Sequence, residues 1–449
     1  MEDIKDHIYN TLNRQKIFLQ KLFAIFFMFF LSAPGLSAFS NLILNGSVLS
    51  ELNYFNKNLD SFLFKYIEFE EREKHTCLMS NHLKTNLELS NSYQINFRLN
   101  SNITNNLVLN SDDNSKVETN EFLINELYTE VNFYDYVYLR MGKQRIKWGS
   151  GWIYNPSDFI NPPKNPLSQI QTVEGIPGIK LEFISQYISI MAFGIVFDYL
   201  EYMGSGGKIS SSVIPFTDIA LSVYYSQKDH ISGALNITTS PFYSLPYLDA
   251  WSFWFEGCLY TKSRYPRIKY RFKNTGLQSI KYIDPETSDS LADLKFTFLT
   301  GTQFQFPEAN TVLMCEYYFI QEAYEAYEIN VIYQYLRDSN PQVRQKSSGW
   351  TEIPDRKQAR FSRQYLSVSL NQPSFTDSIN IVSDNIGLSH SFILNLEDLS
   401  FFLRNSISTT IITNSKLTLS NWIANGKEKS EFYNSPTMLG FSFSIEIYF

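Results

Sequence analysis

The side chains able to break bonds or hold metal are few, and their spacing gives them little purchase. Five histidines and three cysteines are spread over 449 residues. The tightest grouping is His75-Thr76-Cys77 with His82 beyond it. In an extended strand His75 and Cys77 share one face and His82 takes the other. A tetrahedral site needs its ligands to converge, so no metal is expected. Glu68, Glu70, Glu71 and Glu73 beside it read as a solvated loop edge. His230 and His390-Ser391 offer a base and a nucleophile. A working pair needs a third group to orient it, and no Gly-x-Ser-x-Gly turn presents either serine. Gly204-Ser-Gly-Gly207 has no Gly-Lys-Ser/Thr after it and reads as a turn, not a phosphate cradle. The expectation is a protein without catalytic chemistry, metal or cofactor.

Composition points elsewhere. Aromatic residues make up 16%, with 37 Phe and 29 Tyr, more rings than a core needs. Charged residues are 18%, 45 acidic against 38 basic, for a net of −7. Such a balance lacks the basic face of a nucleic-acid binder. Mean hydropathy is −0.21, which excludes a helical membrane bundle. Three cysteines cannot build a disulfide framework.

Both ends carry signals. Leu22–Leu31 is an apolar run preceded by Arg14, Lys16 and Lys21 and followed by Ser32-Ala-Pro-Gly-Leu-Ser-Ala38. Basic start, short apolar core and small-residue exit describe a secretory signal peptide, too short to span a bilayer. Cleavage after Ala38 leaves 39–449 as the mature chain. At the other end, Leu439, Phe441, Phe443, Ile445, Ile447 and Phe449 alternate with mostly polar residues. Period two means a strand with one apolar and one wet face.

The same alternation recurs between polar turns, without a helical stripe of core length. Strands are expected at 41–50, 93–99, 122–133, 136–146, 179–183, 188–197, 219–226, 251–261, 294–304, 312–319, 365–370, 379–388, 401–411, 416–422 and 439–449. The fold class is therefore all-β. A closed bacterial barrel favours an even number, and about 16 strands are expected, within 14 to 18. Long connections fall at 149–174, 262–290 and 324–360, the last with a short helix over 325–336.

The sharpest signal lies at 122–177. Glu126, Tyr128, Glu130 and Asn132 share one face of a strand, with Leu127, Val131 and Phe133 on the other. A turn at Asp135 returns a strand bearing Tyr138, Arg140 and Gln144, and sets Glu130 opposite Arg140. Beyond Gly142 the phase breaks, because Lys143, Arg145 and Lys147 would continue the apolar face. Either the strand has left the bilayer there, or a bulge at Gly142 turns the cations inward. Downstream, Pro156, Pro162 and Pro163 stiffen a loop in which Asn155 and Asp158 bond turn backbone. Asp158 or Glu174 is placed to pin that loop through Arg145 or Lys147.

These residues carry a resemblance. The last strand is similar to the terminal strand of bacterial outer-membrane barrels, in which the final aromatic residue is part of the signal read by the assembly machinery. Here that signal would be Phe441, Phe443 and Phe449, although Ile447 stands where an aromatic residue is frequent. Glu126-Leu-Tyr128, then Gly142-Lys143-Gln144 running to Trp148-Gly149, Asn155-Pro156-x-Asp158 and Glu174-Gly175-x-Pro177 resemble porin-like outer-membrane families. The resemblance implies an antiparallel transmembrane β-barrel in a bacterial outer membrane, with short periplasmic turns and long outer loops. One loop would fold over or into the mouth.

The function expected is passive diffusion of small hydrophilic solutes, filtered by size and charge. Glu126, Tyr128, Glu130, Arg140, Gln144, Arg145 and Lys147 are the constriction candidates; Asn155, Pro156, Asp158, Glu174 and Pro177 shape the loop. Its expected partners are outer-membrane lipids, the barrel-assembly machinery and the solute. A surface adhesin on a closed barrel, a barrel enzyme and a polymer exporter are the rival readings.

Overall fold

The computed structural model describes residues 39–57, 75–91, 94–110, 116–146, 148–161, 174–195, 203–226, 230–245, 248–261, 267–272, 278–284, 294–325, 362–374, 386–410, 414–427, 430–433 and 437–449. The expected signal peptide, Lys147 and the expected helix beyond Glu325 lie outside them. Twenty strands run in chain order. They are β1 (Phe39–Lys57), β2 (His75–Asn91), β3 (Ile95–Asn110), β4 (Lys116–Phe133) and β5 (Val137–Gln144), then β6 (Ile176–Ile184), β7 (Ile188–Ile195), β8 (Gly204–Ser211), β9 (Thr217–Ser226) and β10 (His230–Thr239). Next come β11 (Trp251–Tyr260), β12 (Arg267–Phe272), β13 (Gln278–Asp284), β14 (Lys295–Phe306) and β15 (Thr311–Ile320). The last are β16 (Gln364–Gln372), β17 (Gly387–Asn395), β18 (Phe401–Thr409), β19 (Ser415–Asn425) and β20 (Thr437–Tyr448).

Eighteen of these form one antiparallel sheet in which every strand bonds its sequence neighbours. β12 and β13 form a separate hairpin, so β11 pairs directly with β14. β20 returns to β1 along Ser47↔Tyr448 to Lys57↔Thr437, and Gly46 and Phe449 exchange two backbone hydrogen bonds of 3.0 Å. The sheet is a closed barrel with no free edge, one of the two ways a chain can satisfy its backbone inside lipid.

Side-chain direction agrees. On β9, Leu221, Val223 and Tyr225 are 61%, 58% and 51% exposed on the outer wall, while Ala220, Ser222, Tyr224 and Ser226 are buried within. Phe441, Phe443, Ile445 and Ile447 on β20 are likewise exposed outside. A water-soluble barrel would reverse this; an apolar outer wall is a lipid-facing one. Aromatic groups mark its two borders. Trp251, Phe253, Phe304 and Phe306 cluster near the end holding the chain's last residue, and Phe296, Phe298 and Phe319 near the other. At the first end most connections are short: 92–94, 134–136, 185–187, 212–216, 307–310 and 410–414. The four longest, 58–74, 145–175, 261–294 and 321–363, all fall at the second.

The strand number is eighteen rather than about sixteen. β2, β8 and β10 escape the alternation test, and the strand expected at 379–388 is β17, displaced to Gly387–Asn395. Each miss has a local cause. On β2, Asn81 and Thr85 interrupt the apolar face. On β8 the glycines expected to turn are strand residues leaving room for rings: a Cβ at Gly206 would sit 2.7 Å from Phe193 Cζ, and one at Gly204 2.5 Å from the Tyr224 hydroxyl. β10 has Gly233 on its outer face, and β17 has His390 there.

The inside–outside assignment is testable at one position. Leu221→Arg places a cation on the lipid face and should cost about 2–4 kcal/mol of folding stability in vesicles, read by denaturant titration. Stability equal to wild type would contradict that orientation.

Candidate functional site

The hairpin of β4 and β5 supplies the charged part of the inner wall. Glu130 and Arg140 are register partners, as the sequence requires, and Arg140 donates through Nε and Nη2 to Glu130 Oε2 at 2.8 and 2.5 Å. The guanidinium lies 4.3 Å from the ring centre of Tyr128, a cation–π contact that adds to its hold. Arg98 on β3 stands 3.5 Å from Glu88 and 3.8 Å from Glu126. Lys180 meets Glu182 at 2.7 Å on β6, and Lys84 meets Glu446 at 3.3 Å across the lumenal side of β2, β1 and β20. Positive and negative groups thus alternate around this wall, each cation against a carboxylate.

Gln144, expected in the lining, is the last residue of β5. Its side chain is fully buried, and Nε2 donates to the carbonyls of Arg140 and Gly178 at 3.4 and 3.2 Å. It clips the end of β5 to β6. The register runs through Gly142 without a shift, although its φ of 125° is one a side chain rarely adopts. The strand simply ends at Gln144. Lys143 pairs with Glu174 at the foot of the following connection, Pro177 stands opposite Lys143 on β6, and Arg145 is exposed while its N–H donates to Glu126 Oε1 at 3.2 Å.

From there the chain turns into the barrel. Ile146, Trp148, Tyr154 and Phe159 are buried against inner-wall side chains of several strands. Trp148 Nε1 donates to Ser222 Oγ on β9 at 2.9 Å, and its ring meets Phe193 of β7 edge-on at 5.1 Å. Phe159 stacks on Tyr224 of β9 and meets Tyr260 of β11 edge-on. Tyr154 stacks on Tyr318 of β15 with ring centres 4.7 Å apart.

Two wall carboxylates hold the backbone of this segment. Glu256 of β11 accepts from the N–H groups of Ser150 and Gly151, each at 2.5 Å, and of Ser157 at 3.2 Å. Glu316 of β15 accepts from those of Trp152, Ile153 and Tyr154 at 2.6, 2.8 and 3.4 Å, with Trp254 Nε1 at 3.1 Å. A backbone segment inside a barrel has no sheet partner, and each buried N–H must find an acceptor. These carboxylates supply six, as charge-assisted bonds.

The segment is shaped by its own residues. Gly149 takes φ +79°, and Asn155 Nδ2 donates to the Trp148 carbonyl at 2.6 Å to close the bend. Pro156 follows Asn155 in a turn closed by Asp158 N–H on the Asn155 carbonyl at 3.2 Å. Asp158 accepts from the N–H groups of Ile160 and Asn161 at 3.3 and 3.0 Å, and Asn161 Nδ2 donates to the Ile146 carbonyl at 2.6 Å. Among the large side chains of the segment, Trp152 is 60% exposed.

The structure therefore brings Glu126, Tyr128, Glu130 and Arg140 onto one inner face and draws Asn155, Pro156 and Asp158 into the lumen. Sequence reading missed Glu256 and Glu316. Each stands alone on a largely apolar inner face, between Trp254 and Cys258 and between Met314 and Tyr318. A lone carboxylate in such a row must have donors aimed at it, which is the signal that could have found them.

No family model and no curated protein matches the sequence. Solved structures do. The BenF-like porin of Pseudomonas fluorescens Pf-5 matches over 92% of this chain and 100% of its own, with TM-score 0.52 and 7% identity. The fold is that of the outer-membrane porins. Pseudomonas aeruginosa OccK5 (OpdH) covers 90% of this chain and 97% of its own at TM-score 0.50 and 8% identity. Pseudomonas aeruginosa OccK2 (OpdF), solved in complex with glucuronate, covers 92% and 98% at TM-score 0.50 and 6% identity. At such identity the likeness is one of architecture.

Replacing Glu316 by Ala leaves three backbone donors without acceptors, each charge-assisted bond being worth on the order of 1.5–3 kcal/mol. The segment should leave the wall, and limited proteolysis between 150 and 160 in folded, membrane-inserted protein should accelerate at least tenfold. Cleavage at the wild-type rate would contradict the anchoring.

Proposed function

We propose that this protein is an outer-membrane channel for the passive diffusion of small hydrophilic solutes, filtered by size and charge where the inward segment narrows the lumen. The observation that carries this reading is the combination of a closed barrel, a backbone segment pinned inside it by Glu256 and Glu316, and a polar, charged wall on β2 to β6. Water and solute pass along that wall, and the segment sets the width.

The filter groups are Glu126, Glu130 and Arg140, joined by Arg98, Lys180 and Glu182. Tyr128 steadies the Arg140 guanidinium, Arg145 stands at the root of the segment, and Lys147 is a filter candidate by its sequence alone. Because the cations are paired with carboxylates, neither ion sign is strongly excluded, and the donors and acceptors that remain suit hydroxyl-bearing solutes. Phe441, Phe443 and Phe449 form the strand that the barrel-assembly machinery reads, and outer-membrane lipids cover the apolar wall.

Vesicles containing the protein should swell in graded uncharged solutes at rates that fall steeply with solute size. A folded barrel giving no swelling with the smallest solutes would overturn the channel reading. Glu130→Gln frees Arg140 from its partner and should move the reversal potential in a salt gradient toward anion selectivity. An unmoved potential would remove this pair from the filter.

A further inference from the structure

Glu431 lies between Ser430 and Phe432 in the connection from β19 to β20, at the end of the barrel that holds the long connections. All three residues are buried, although a connection ordinarily keeps to the surface. A carboxylate taken out of water needs donors in its place. Tyr365, near the start of β16, and Asn395, at the end of β17, supply them, and both are fully buried. The Tyr365 hydroxyl accepts from the Ser362 N–H at 2.8 Å, so its own proton goes to Glu431 Oε2 at 2.5 Å. Asn395 Nδ2 donates to the same oxygen at 3.0 Å and to Ser362 Oγ at 2.6 Å. The backbone is held as well. Glu431 N–H donates to Asp398 Oδ2 at 2.7 Å and Phe432 N–H to Ser400 Oγ at 3.1 Å, both in the turn between β17 and β18.

This is the arrangement at Glu256 and Glu316 with the parts exchanged. There, wall carboxylates hold loop backbone; here, a loop carboxylate is held by wall side chains. The two sites meet at one ring. Tyr365 lies 5.9 Å from Tyr154 of the 148–161 segment and 6.5 Å from Tyr318, on which Tyr154 stacks. Phe432 packs with Phe402, ring centres 6.4 Å apart, in the same buried cluster as Tyr154 and Tyr365. The interior of an outer-membrane barrel is ordinarily polar. Here one apolar cluster, reaching from Trp254 on β11 to Trp422 on β19, takes in side chains from both inward connections.

We propose that Glu431 and Tyr365 are positioning residues of the constriction. Glu431 fixes the Tyr365 hydroxyl, and the Tyr365 ring backs Tyr154. The last connection thereby braces the 148–161 segment, and the two narrow the lumen as one body. The inference rests on the channel reading for its effect on conduction, while the brace itself is a contact that can be tested in a barrel that conducts nothing.

The full chain, folded in vesicles, is compared as wild type, Glu431→Ala and Tyr365→Phe, with heat-modifiable gel mobility reporting that each folds. Tyr365→Phe keeps the ring and removes only the hydroxyl. Each variant should accelerate limited proteolysis between 150 and 160 about tenfold, the factor that one charge-assisted hydrogen bond is worth. The double variant should add little to Glu431→Ala, since both changes break one contact. In a planar bilayer each variant should split uniform conductance steps into several levels. Cleavage that rises only at 430–433 would overturn the proposal, because a purely local role predicts it. So would cleavage between 150 and 160 at the wild-type rate in both variants. Faster cleavage there in a barrel that gives no conductance steps would uphold the brace and sink the channel reading alone. A conducting wild type whose variants keep uniform steps and unaltered cleavage would sink the brace alone.

Discussion

Carboxylates at Glu256 and Glu316 make the interior of this barrel what it is. A connection between strands ordinarily runs over the surface, because water satisfies its backbone there. Here the connection after β5 runs inside, and two wall side chains stand in for the missing sheet neighbour. Six N–H groups converge on four carboxylate oxygens. Ring packing of Trp148, Tyr154 and Phe159 adds apolar burial on the same side of the lumen. Polar anchoring and apolar packing thus press the segment to one wall, and the charged side chains of β2 to β6 take no part in these contacts.

Closure makes that arrangement possible. β20 completes the ladder with β1, and the Gly46–Phe449 hydrogen bonds fasten the seam near the chain's last residue. With no edge to protect, every strand can devote one face to lipid and the other to the lumen. Each face then follows its own chemistry: Leu221 and Phe443 outward, Ser222 and Arg140 inward. Interior space is further tuned by glycine on β8, where the Phe193 and Tyr224 rings occupy the volume a side chain would take.

Much of this was legible because period two is a strong signal when one face is apolar. The register of the β4–β5 hairpin could be read, with Glu130 facing Arg140, since a tight turn fixes it. β2, β8 and β10 were not legible, because alternation weakens where the outer face carries Asn, Thr or Gly. Gln144 has the phase of a lining residue, and only the structure shows its amide bonded to the carbonyls of Arg140 and Gly178. Glu256 and Glu316 were hidden for a different reason. They lie 99 to 164 positions from the backbone they hold, and no local pattern announces so distant a partner. Lys143, by contrast, is paired with Glu174, within the stretch the sequence marked as one unit.

Single-channel recording of the wild-type protein in a planar bilayer, under a salt gradient, is the most direct test of a water-filled lumen beside a pinned inner segment. Uniform conductance steps with a reversal potential close to zero are predicted, since the wall charges are paired. A correctly folded barrel that produces no steps would contradict the account, because the lumen would then be sealed.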